Sequence, residues 1–304
     1  MKHLFIINPA AGKYDHTVEF SNKIREACQK RGLAFEIARS KAAGDCTRIA
    51  RQAAQTGEEL RIYACGGDGT LNEVVTGVVG YDNVAITHLP GGSGNDFIKL
   101  FDRPEDFKNL DLLLDADEAR FDLIEANGSY SLNICSMGFD ARIGTEMTKY
   151  KRIPLLSGSS AYSVSVVANL IKGIHHHYVI DIGQERVDSR FSMICICNGR
   201  WYGGGYQPIP EAEPDDGKLD VLLVRKVSRL QVPTIIGKYK EGRYKDYPKL
   251  FRHVSTDRLT IHCDSEEVIN LDGEARYGKD VEIRVSDQKL RFFYPKGQSY
   301  HHNK

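Results

Sequence analysis

YACGGDGTLNEVV, residues 63–75, joins an apolar strand-like run to a helical pattern through three glycines, one aspartate and one threonine. Glycines at such a turn let backbone N–H groups approach an anion, and the N-terminus of the following helix adds a favourable dipole. Two other loops, NPAAGK at 8–13 and GGSGND at 91–96, also follow strand-like runs. Ligands of an open α/β sheet bind beyond the carboxyl ends of its strands. We therefore expect the three loops to lie together at one edge of the sheet and to bind a chain of phosphates. Each loop alone is equally typical of a turn whose glycines only allow close packing.

Asp68 lies between two of these glycines. A carboxylate repels a phosphate unless a cation lies between them, and Mg²⁺ bound to carboxylate and phosphate oxygens is the usual arrangement. Two familiar phosphate-binding patterns do not fit this sequence. NPAAGKY has neither the spacing nor the final hydroxyl residue of a P-loop, and no G-x-G-x-x-G motif follows a strand-like run.

Short β-branched runs alternate with helical patterns over residues 1–125. This alternation predicts an α/β domain, with a parallel sheet wrapped by helices on both faces. The helices are expected over about 17–31, 45–56 and 71–79.

The sequence pattern changes at about residue 126: from there on, strand-like runs follow one another and are separated by turn residues. This pattern predicts an antiparallel β-sandwich over residues 126–287. Two helical patterns interrupt it, near 159–173 and 228–252. The sequence leaves open whether LRFFYP and the rest of 288–304 return to the first domain.

The composition excludes several classes of protein. The formal net charge of zero argues against a general nucleic-acid binder. Seven cysteines without a C-x-x-C pair fit a reducing cytoplasm better than a disulfide framework. No segment approaches the length of an uninterrupted apolar span, so any contact with a membrane is expected from the water side. Residues 225–252 hold nine Lys or Arg against two acidic residues, a net charge of +7. Such a run is typical of a solvated helix face, but a surface resting on anionic lipid head groups has the same composition.

NPAAGK, GGDGT followed by LNEVV, PGGSGNDF and the late NLDGE resemble the diacylglycerol kinase catalytic-domain family, which includes soluble bacterial lipid kinases and the sphingosine and ceramide kinases. The resemblance extends over nearly the whole chain. NAD kinases are similar at GGDGT, but GNDF at 94–97 and LDGE at 271–274 favour the lipid branch. The resemblance implies a Rossmann-like first domain of the NAD-kinase and phosphofructokinase type, with an ATP site between the two domains.

The resemblance also implies roles for individual residues. Asp68 matches the acid that binds the nucleotide and Mg²⁺, while Asp96 and Asp122 match acids of the surrounding magnesium network. Glu274 matches the general base, and a carboxylate on a tight turn between strands can point across a cleft at an acceptor hydroxyl. Asp272 is an alternative or a partner for that base, and an acidic β-turn without a catalytic role is the alternative for both. The nucleotide-binding residues implied are Asn8, Pro9, Ser40, Gly66, Gly67, Asp68, Gly69, Thr70, Ser93, Asn95 and Asp96.

A second metal position is implied in EAEPDDGKLDV, residues 211–221. In the family this loop holds a structural Mg²⁺, and the matching ligands are Glu213, Asp216 and the backbone carbonyl of Lys218. Several oxygens in a short loop suit a hard cation. A solvated acidic hairpin is the equally weighted alternative.

These observations lead us to expect an ATP-dependent, Mg²⁺-requiring lipid kinase that phosphorylates diacylglycerol or a similar lipid alcohol. We expect it in the cytoplasm, associated peripherally with the inner membrane face. Its expected partner is the lipid substrate, and no nucleic acid is expected to bind. The alternatives are a kinase acting on a sphingoid base or NAD, and a non-catalytic nucleotide or lipid sensor. The oligomeric state stays open, with a homodimer as one alternative.

Overall fold

The computed structural model describes residues 1–139, 141–143, 145 and 175–301. The helical pattern near 159–173 lies outside these residues. The chain divides into two compact units: unit 1 comprises Met1–Leu123, Tyr130–Leu132 and Ser286–Lys304, and unit 2 comprises Ile124–Ser129 and Asn133–Val285.

Fifteen strands and five α-helices have both ends within the described residues. The strands are β1 (Lys2–Ile7), β2 (Phe35–Arg39), β3 (Leu60–Gly66), β4 (Val84–Pro90), β5 (Asp117–Phe121), β6 (Ile124–Ala126), β7 (Ser129–Ser131), β8 (Ile134–Gly138), β9 (His176–Ile182), β10 (Glu185–Cys197), β11 (Leu219–Arg225), β12 (Phe251–Thr256), β13 (Arg258–Leu271), β14 (Glu274–Val285) and β15 (Leu290–Tyr294). The helices are α1 (Thr17–Lys30), α2 (Asp45–Ala54), α3 (Asp68–Val78), α4 (Leu110–Leu114) and α5 (Val232–Lys240), and 3-10 turns cover Phe97–Leu100, Pro104–Lys108 and Tyr244–Asp246.

Unit 1 is built on a six-stranded sheet in the order β2-β1-β3-β4-β15-β5. The first four strands are parallel, β15 is parallel to β4, and β5 is antiparallel to β15. β1, β3 and β4 are almost entirely buried, as expected for strands covered on both faces. The parallel α/β architecture predicted from the sequence is confirmed.

The helices of unit 1 form where the apolar spacing predicts them. α1 buries Phe20, Ile24 and Cys28, which are four residues apart and therefore share one face. Burial of a large apolar side chain such as Phe20 or Ile24 contributes about 1.5–3 kcal/mol each. The helix ends before Gly32, whose φ of +63° is the left-handed conformation that closes many helices.

Unit 2 is an antiparallel β domain, also as predicted. Its nine strands follow the order β12-β11-β10-β8-β13-β14-β6-β7, and β9 also lies between β10 and β13. β8 and β9 therefore share one position and pair with different stretches of the two long strands. One face of this sheet carries an aliphatic core that includes Ile180, Ile194 and Ile261.

The helix predicted over 228–252 is wrong in its length. The structure has the nine-residue α5, then a 3-10 turn, and residues 251 and 252 belong to β12. Gly242 accounts for the end of the helix, since its φ of +68° lies outside the helical region. The charged residues predicted on one helix are thus divided among a strand end, a turn, α5 and a loop.

Candidate functional site

Glycine-rich loops meet at the carboxyl edge of the unit 1 sheet. The N–H of Gly91 donates to the carbonyl of Gly66 over 2.7 Å, which joins the loop after β3 to the loop after β4. A Cβ on Gly92 would lie 2.5 Å from the Cα of Gly67, and one on Gly12 would lie 2.4 Å from the carbonyl oxygen of Gly91. Glycine is required at these two positions because the backbones of the loops touch.

Gly69 differs from these packing glycines. A Cβ built on it meets nothing within 4 Å. It is the second residue of α3, whose first N–H groups have no partner inside the helix. Open space beside these N–H groups and a helix N-terminus is what an anion needs. The packing interpretation therefore explains Gly12 and Gly92, while Gly69 retains the phosphate-binding interpretation.

Asn8 links polar residues from the ends of three strands. Its side-chain nitrogen donates to the hydroxyl of Thr70 over 3.0 Å, and its side-chain oxygen accepts from the hydroxyl of Ser40 over 3.3 Å. The same oxygen accepts the N–H of Ala10 at 3.1 Å, which fixes the turn containing Pro9. The structure therefore brings together Asn8, Ser40 and Thr70, which were predicted from separate loops.

Asp68 joins the second and third loops through its carboxylate. One oxygen accepts the N–H of Asn95 over 2.8 Å, and the other accepts the N–H of Asp96 over 2.5 Å. Burial raises the pKa of Asp68, the charge of Asp96 acts in the same direction, and His88 and the two N–H groups oppose them. Asp68, Asn95 and Asp96 are thus contiguous, and the ammonium of Lys99 lies 2.5 Å from Asp96.

The Asp68 carboxylate fits a divalent cation. Each of its oxygens can accept a further interaction beyond one N–H bond. A carboxylate whose pKa is raised by burial also gains from a cation that neutralises it. The donor set at this edge, carboxylate and amide oxygens, is the kind that Mg²⁺ prefers.

His88 is a residue of this site that the sequence analysis did not single out. It lies on β4, is fully buried, and its Nε2 is 2.8 Å from the carbonyl oxygen of Gly66. Burial lowers the pKa of His88 and the charge of Asp68 opposes this, so the ring is neutral and Nε2–H donates to Gly66. Its Nδ1 is buried and has no hydrogen-bond partner among the described residues. A single histidine in the apolar run AITHLP was the available signal.

The remaining predicted residues of unit 1 are Asp122, Ser93 and Pro9. Asp122 is fully buried, and the ammonium of Lys289 lies 2.8 Å from its Oδ1. This ion-pair partner lies in the segment just before β15. Ser93 is exposed and Pro9 is half-buried. The roles predicted for these residues stay predictions.

In unit 2, Asp272 and Gly273 form the two-residue turn between β13 and β14. Their φ values are +48° and +95°, as a tight hairpin of this type requires. Both oxygens of Asp272 accept backbone N–H groups, from Asn133 at 3.0 Å and from Ile134 at 2.8 Å. Asp272 therefore ties the hairpin to β8.

Glu274 has a different environment. It is the first residue of β14, and its side chain is 54% exposed with Arg276 4.0 Å away. The turn thus presents the Glu274 carboxylate to solvent, while the neighbouring acid is used inside the unit. This division makes Glu274 the better of the two for accepting a proton from a ligand, because its oxygens are accessible.

The predicted metal loop of unit 2 is held by an arginine. The buried guanidinium of Arg200 donates to the carbonyl oxygen of Ala212 over 2.8 Å and to Glu213 over 2.9 Å. Asp216 accepts the N–H of Lys218 over 2.9 Å within the turn. The assignment of Glu213, Asp216 and Lys218 as metal ligands stays a prediction, and Arg200 already neutralises the first of them.

An apolar cavity lies in unit 2 beneath α5. It contains about 540 Å³ of empty space, including open solvent at its mouth. The lining includes Phe139, Ile143, Met193, Val227, Val232 and Ile235. Among the described residues no helix is both long and apolar enough to cross a membrane. A half-open cavity lined mainly by apolar side chains is suited to a flexible hydrocarbon chain.

Comparison with known proteins gives matches over both units. A family model described as "Diacylglycerol kinase catalytic domain" matches residues 2–126, and one described as "YegS C-terminal NAD kinase beta sandwich-like domain" matches residues 133–294. A Staphylococcus carnosus protein named "Putative lipid kinase" is 26% identical over 234 residues, which is 76% of each chain. A Staphylococcus haemolyticus protein with the same description is 26% identical over 248 residues, covering 81% of this chain and 80% of its own.

Solved structures share the fold. The crystal structure of a diacylglycerol kinase from Bacillus anthracis superimposes with a TM-score of 0.70 at 20% identity and covers 97% of both chains. A second Bacillus anthracis structure, also titled as a diacylglycerol kinase with the qualifier "putative", gives a TM-score of 0.74 at 21% identity, again over 97% of both chains. These similarities concern the fold.

Proposed function

The chain belongs to the diacylglycerol kinase catalytic-domain family of lipid kinases, and we propose that it transfers the γ-phosphate of ATP to the hydroxyl of diacylglycerol or a related lipid alcohol. The observation that carries this proposal is the Asp68 carboxylate held between two glycine-rich loops beside the open N-terminus of α3. Phosphoryl transfer needs positioning and charge neutralisation more than covalent chemistry, and this edge offers both.

The residues of unit 1 would bind the nucleotide. The N–H groups at the start of α3 are the anion donors, and the space beside Gly69 gives the phosphates room. Asn8, Ser40 and Thr70 form the polar rim of the same edge. Mg²⁺ held through Asp68 would neutralise charge on the β- and γ-phosphates. His88 and Gly91 both donate to the Gly66 carbonyl and so fix the loop from below.

The residues of unit 2 would receive the lipid. We propose that the apolar cavity beneath α5 takes an acyl chain and that Glu274 accepts the proton of the attacking hydroxyl. A bond forms between that hydroxyl oxygen and the γ-phosphorus, the bond from the γ-phosphorus to the β–γ bridging oxygen breaks, and ADP leaves. Since the acceptor stays in a bilayer, we propose peripheral association of a cytoplasmic protein with the inner membrane face.

The test is transfer of labelled phosphate from ATP to a panel of acceptors, namely diacylglycerol, sphingosine, phosphatidylglycerol and NAD, with mass spectrometry of the products. We expect the label in a lipid phosphate. Label in NAD would replace the proposal with an NAD kinase. Bound ATP without transfer to any acceptor would replace it with a nucleotide sensor.

Two variants assign the roles. Glu274→Gln should keep ATP binding and lower turnover by about 10²–10⁴-fold, the usual contribution of a general base. Asp68→Asn should lose Mg²⁺-dependent ATP binding itself. Glu266→Gln, on the exposed side of β13, and Asp82→Asn, 89% exposed in its side chain, are the matched controls. Full turnover in Glu274→Gln would remove that residue from the mechanism.

A further inference from the structure

The turn between β11 and α5 is a closed structure with an exposed tip. The N–H of Gln231 donates to the carbonyl of Ser228 over 3.0 Å, and the Gln231 side chain accepts the N–H of Ser228 over 2.9 Å. Arg229 and Leu230 are the two central residues of this turn. The bonds on both sides hold the tip in place, so its exposure is a property of a defined conformation.

Leu230 is 92% exposed, the highest value among the large apolar side chains of the described residues that stand out in solvent. On either side of the tip, Val227 is 4% and Val232 is 5% exposed, and both pack with Phe139. A single exposed leucine is common and carries no conclusion by itself. Here, however, the turn projects its one apolar side chain away from two buried anchors.

The chain segment that contains this tip carries charge of one sign. Between Asp220 and Glu241 the chain has five Lys or Arg and no acidic residue. Lys226 and Arg229 are both exposed. The charges of Lys226 and Arg229 also act on His175. Burial is the largest cause that lowers the pKa of His175, and the charges of Lys226, Arg190 and Arg229 lower it further. The tip is therefore an exposed apolar side chain with exposed cations beside it in the chain, which complements anionic head groups above an acyl layer.

The position of the turn links it to the apolar cavity of unit 2. Val227 and Val232, which flank the turn, both line that cavity. The residues between them therefore stand at its edge. If the turn binds a bilayer, it brings this edge of the cavity to the membrane and shortens the path that an acyl chain takes from the membrane into the cavity.

We infer that the turn Ser228–Gln231 docks on an anionic phospholipid bilayer, with Leu230 inserted among the acyl chains and Lys226 and Arg229 against the phosphate groups. This inference rests on the proposed lipid kinase function for its purpose, but binding to vesicles is measurable without any turnover. The partner is a phospholipid surface and not a protein.

Binding is tested with the full chain by sedimentation with vesicles of phosphatidylcholine alone or mixed with phosphatidylglycerol. Leu230→Ser should lower the partition coefficient on mixed vesicles about tenfold, which corresponds to about 1.4 kcal/mol. Lys226→Glu and Arg229→Glu should each lower it at least about fivefold, the effect of about 1 kcal/mol per cation near the surface. Added salt should weaken binding of the wild type, because exposed charges are screened.

Matched controls are available at other exposed positions. Val18→Ser changes an apolar side chain that is 68% exposed on α1, and Lys279→Glu reverses an exposed cation on β14. Both should leave vesicle binding unchanged. Equal losses in the controls and in the turn variants would overturn the inference, as would full vesicle binding by the Leu230→Ser, Arg229→Glu double variant.

Kinase assays separate this inference from the proposed function. Leu230→Ser should lower the rate on acceptor embedded in vesicles while keeping the wild-type rate on a short-chain acceptor dispersed in water. Equal rate losses on both acceptors would contradict a docking role. If no acceptor is phosphorylated at all, the proposed function fails, and the vesicle measurements still decide whether the turn binds a bilayer.

Discussion

Replacement of Gly69 by alanine separates the two uses of glycine at the sheet edge. The new methyl group would meet no protein atom within 4 Å. Gly69 lies inside α3, where alanine is preferred to glycine by up to about 1 kcal/mol, and about half of that is expected near a helix end. The melting temperature of Gly69→Ala should therefore rise by about 1–2 °C.

The same methyl group should harm the nucleotide site. If phosphates approach the N–H groups at the start of α3, the methyl group occupies the space they need. A displacement of about 1 Å is enough for a loss of about 10²-fold, so kcat/KM for ATP should fall by about that factor, or about 2.7 kcal/mol. Thermal unfolding and ATP titration on the same sample measure both effects.

Gly92→Ala is the matched comparison. Its methyl group would lie 2.5 Å from the Cα of Gly67, a backbone atom that cannot move cheaply. We expect a loss of about 1–3 kcal/mol in the free energy of unfolding, as for an overpacked site. A stabilised Gly69→Ala protein with unaltered ATP affinity would refute the phosphate interpretation of the open space.

Three further predictions concern other parts of the molecule. His88→Leu should lower the free energy of unfolding by about 1 kcal/mol and raise KM for ATP, since it removes a hydrogen-bond donor to the Gly66 carbonyl. His88→Gln should recover part of both losses. Denaturant titration and kinetics measure these effects, and an unaltered free energy of unfolding together with an unaltered KM in His88→Leu would contradict the role. Burial lowers the pKa of His3 to about 4, so between about pH 4 and pH 6.5 only the unfolded chain binds a proton at this residue. His3 should therefore contribute stability that is complete above pH 6.5, and up to about 3 kcal/mol of it should be lost as the pH falls from 6.5 to about 4. If another group is responsible, the free energies of unfolding of wild type and His3→Gln will change with pH at the same slope. Ile235→Trp should narrow the cavity beneath α5 and lower kcat/KM about tenfold for long acyl chains but not for short ones, and an equal loss for all chain lengths would remove the cavity from substrate binding.

The sequence predicted those parts of the fold that depend on local pattern. The alternation of strands and helices in unit 1 and the strand-rich texture of unit 2 follow from periodicity, and the glycine loops follow from strand order in a parallel sheet. The hydrogen bonds from the N–H groups of Asn95 and Asp96 to the Asp68 carboxylate do not follow from these patterns, because they join residues that are 27 and 28 positions apart in the chain. Side-chain spacing carries no information about such contacts.

Three other features could not be predicted from the sequence, each for a physical reason. His88 looked like one polar residue in an apolar strand, and only the pairing of β3 with β4 gives it the Gly66 carbonyl as a partner. Arg200 and Glu213 lie in irregular segments, where no period predicts which side chains meet. The long helix over 228–252 was wrong because charge and apolar spacing continue through Gly242, while the backbone does not.

The location of β15 has a consequence for synthesis of the chain. It lies between β4 and β5, in the interior of the unit 1 sheet, although more than 160 residues of the chain separate it from β5. Until the ribosome has delivered residues 290–294, the emerging sheet has two unpaired inner edges at β4 and β5. Such edges attract other strands, so we expect the nascent protein to be prone to aggregation until unit 2 and β15 have been synthesised.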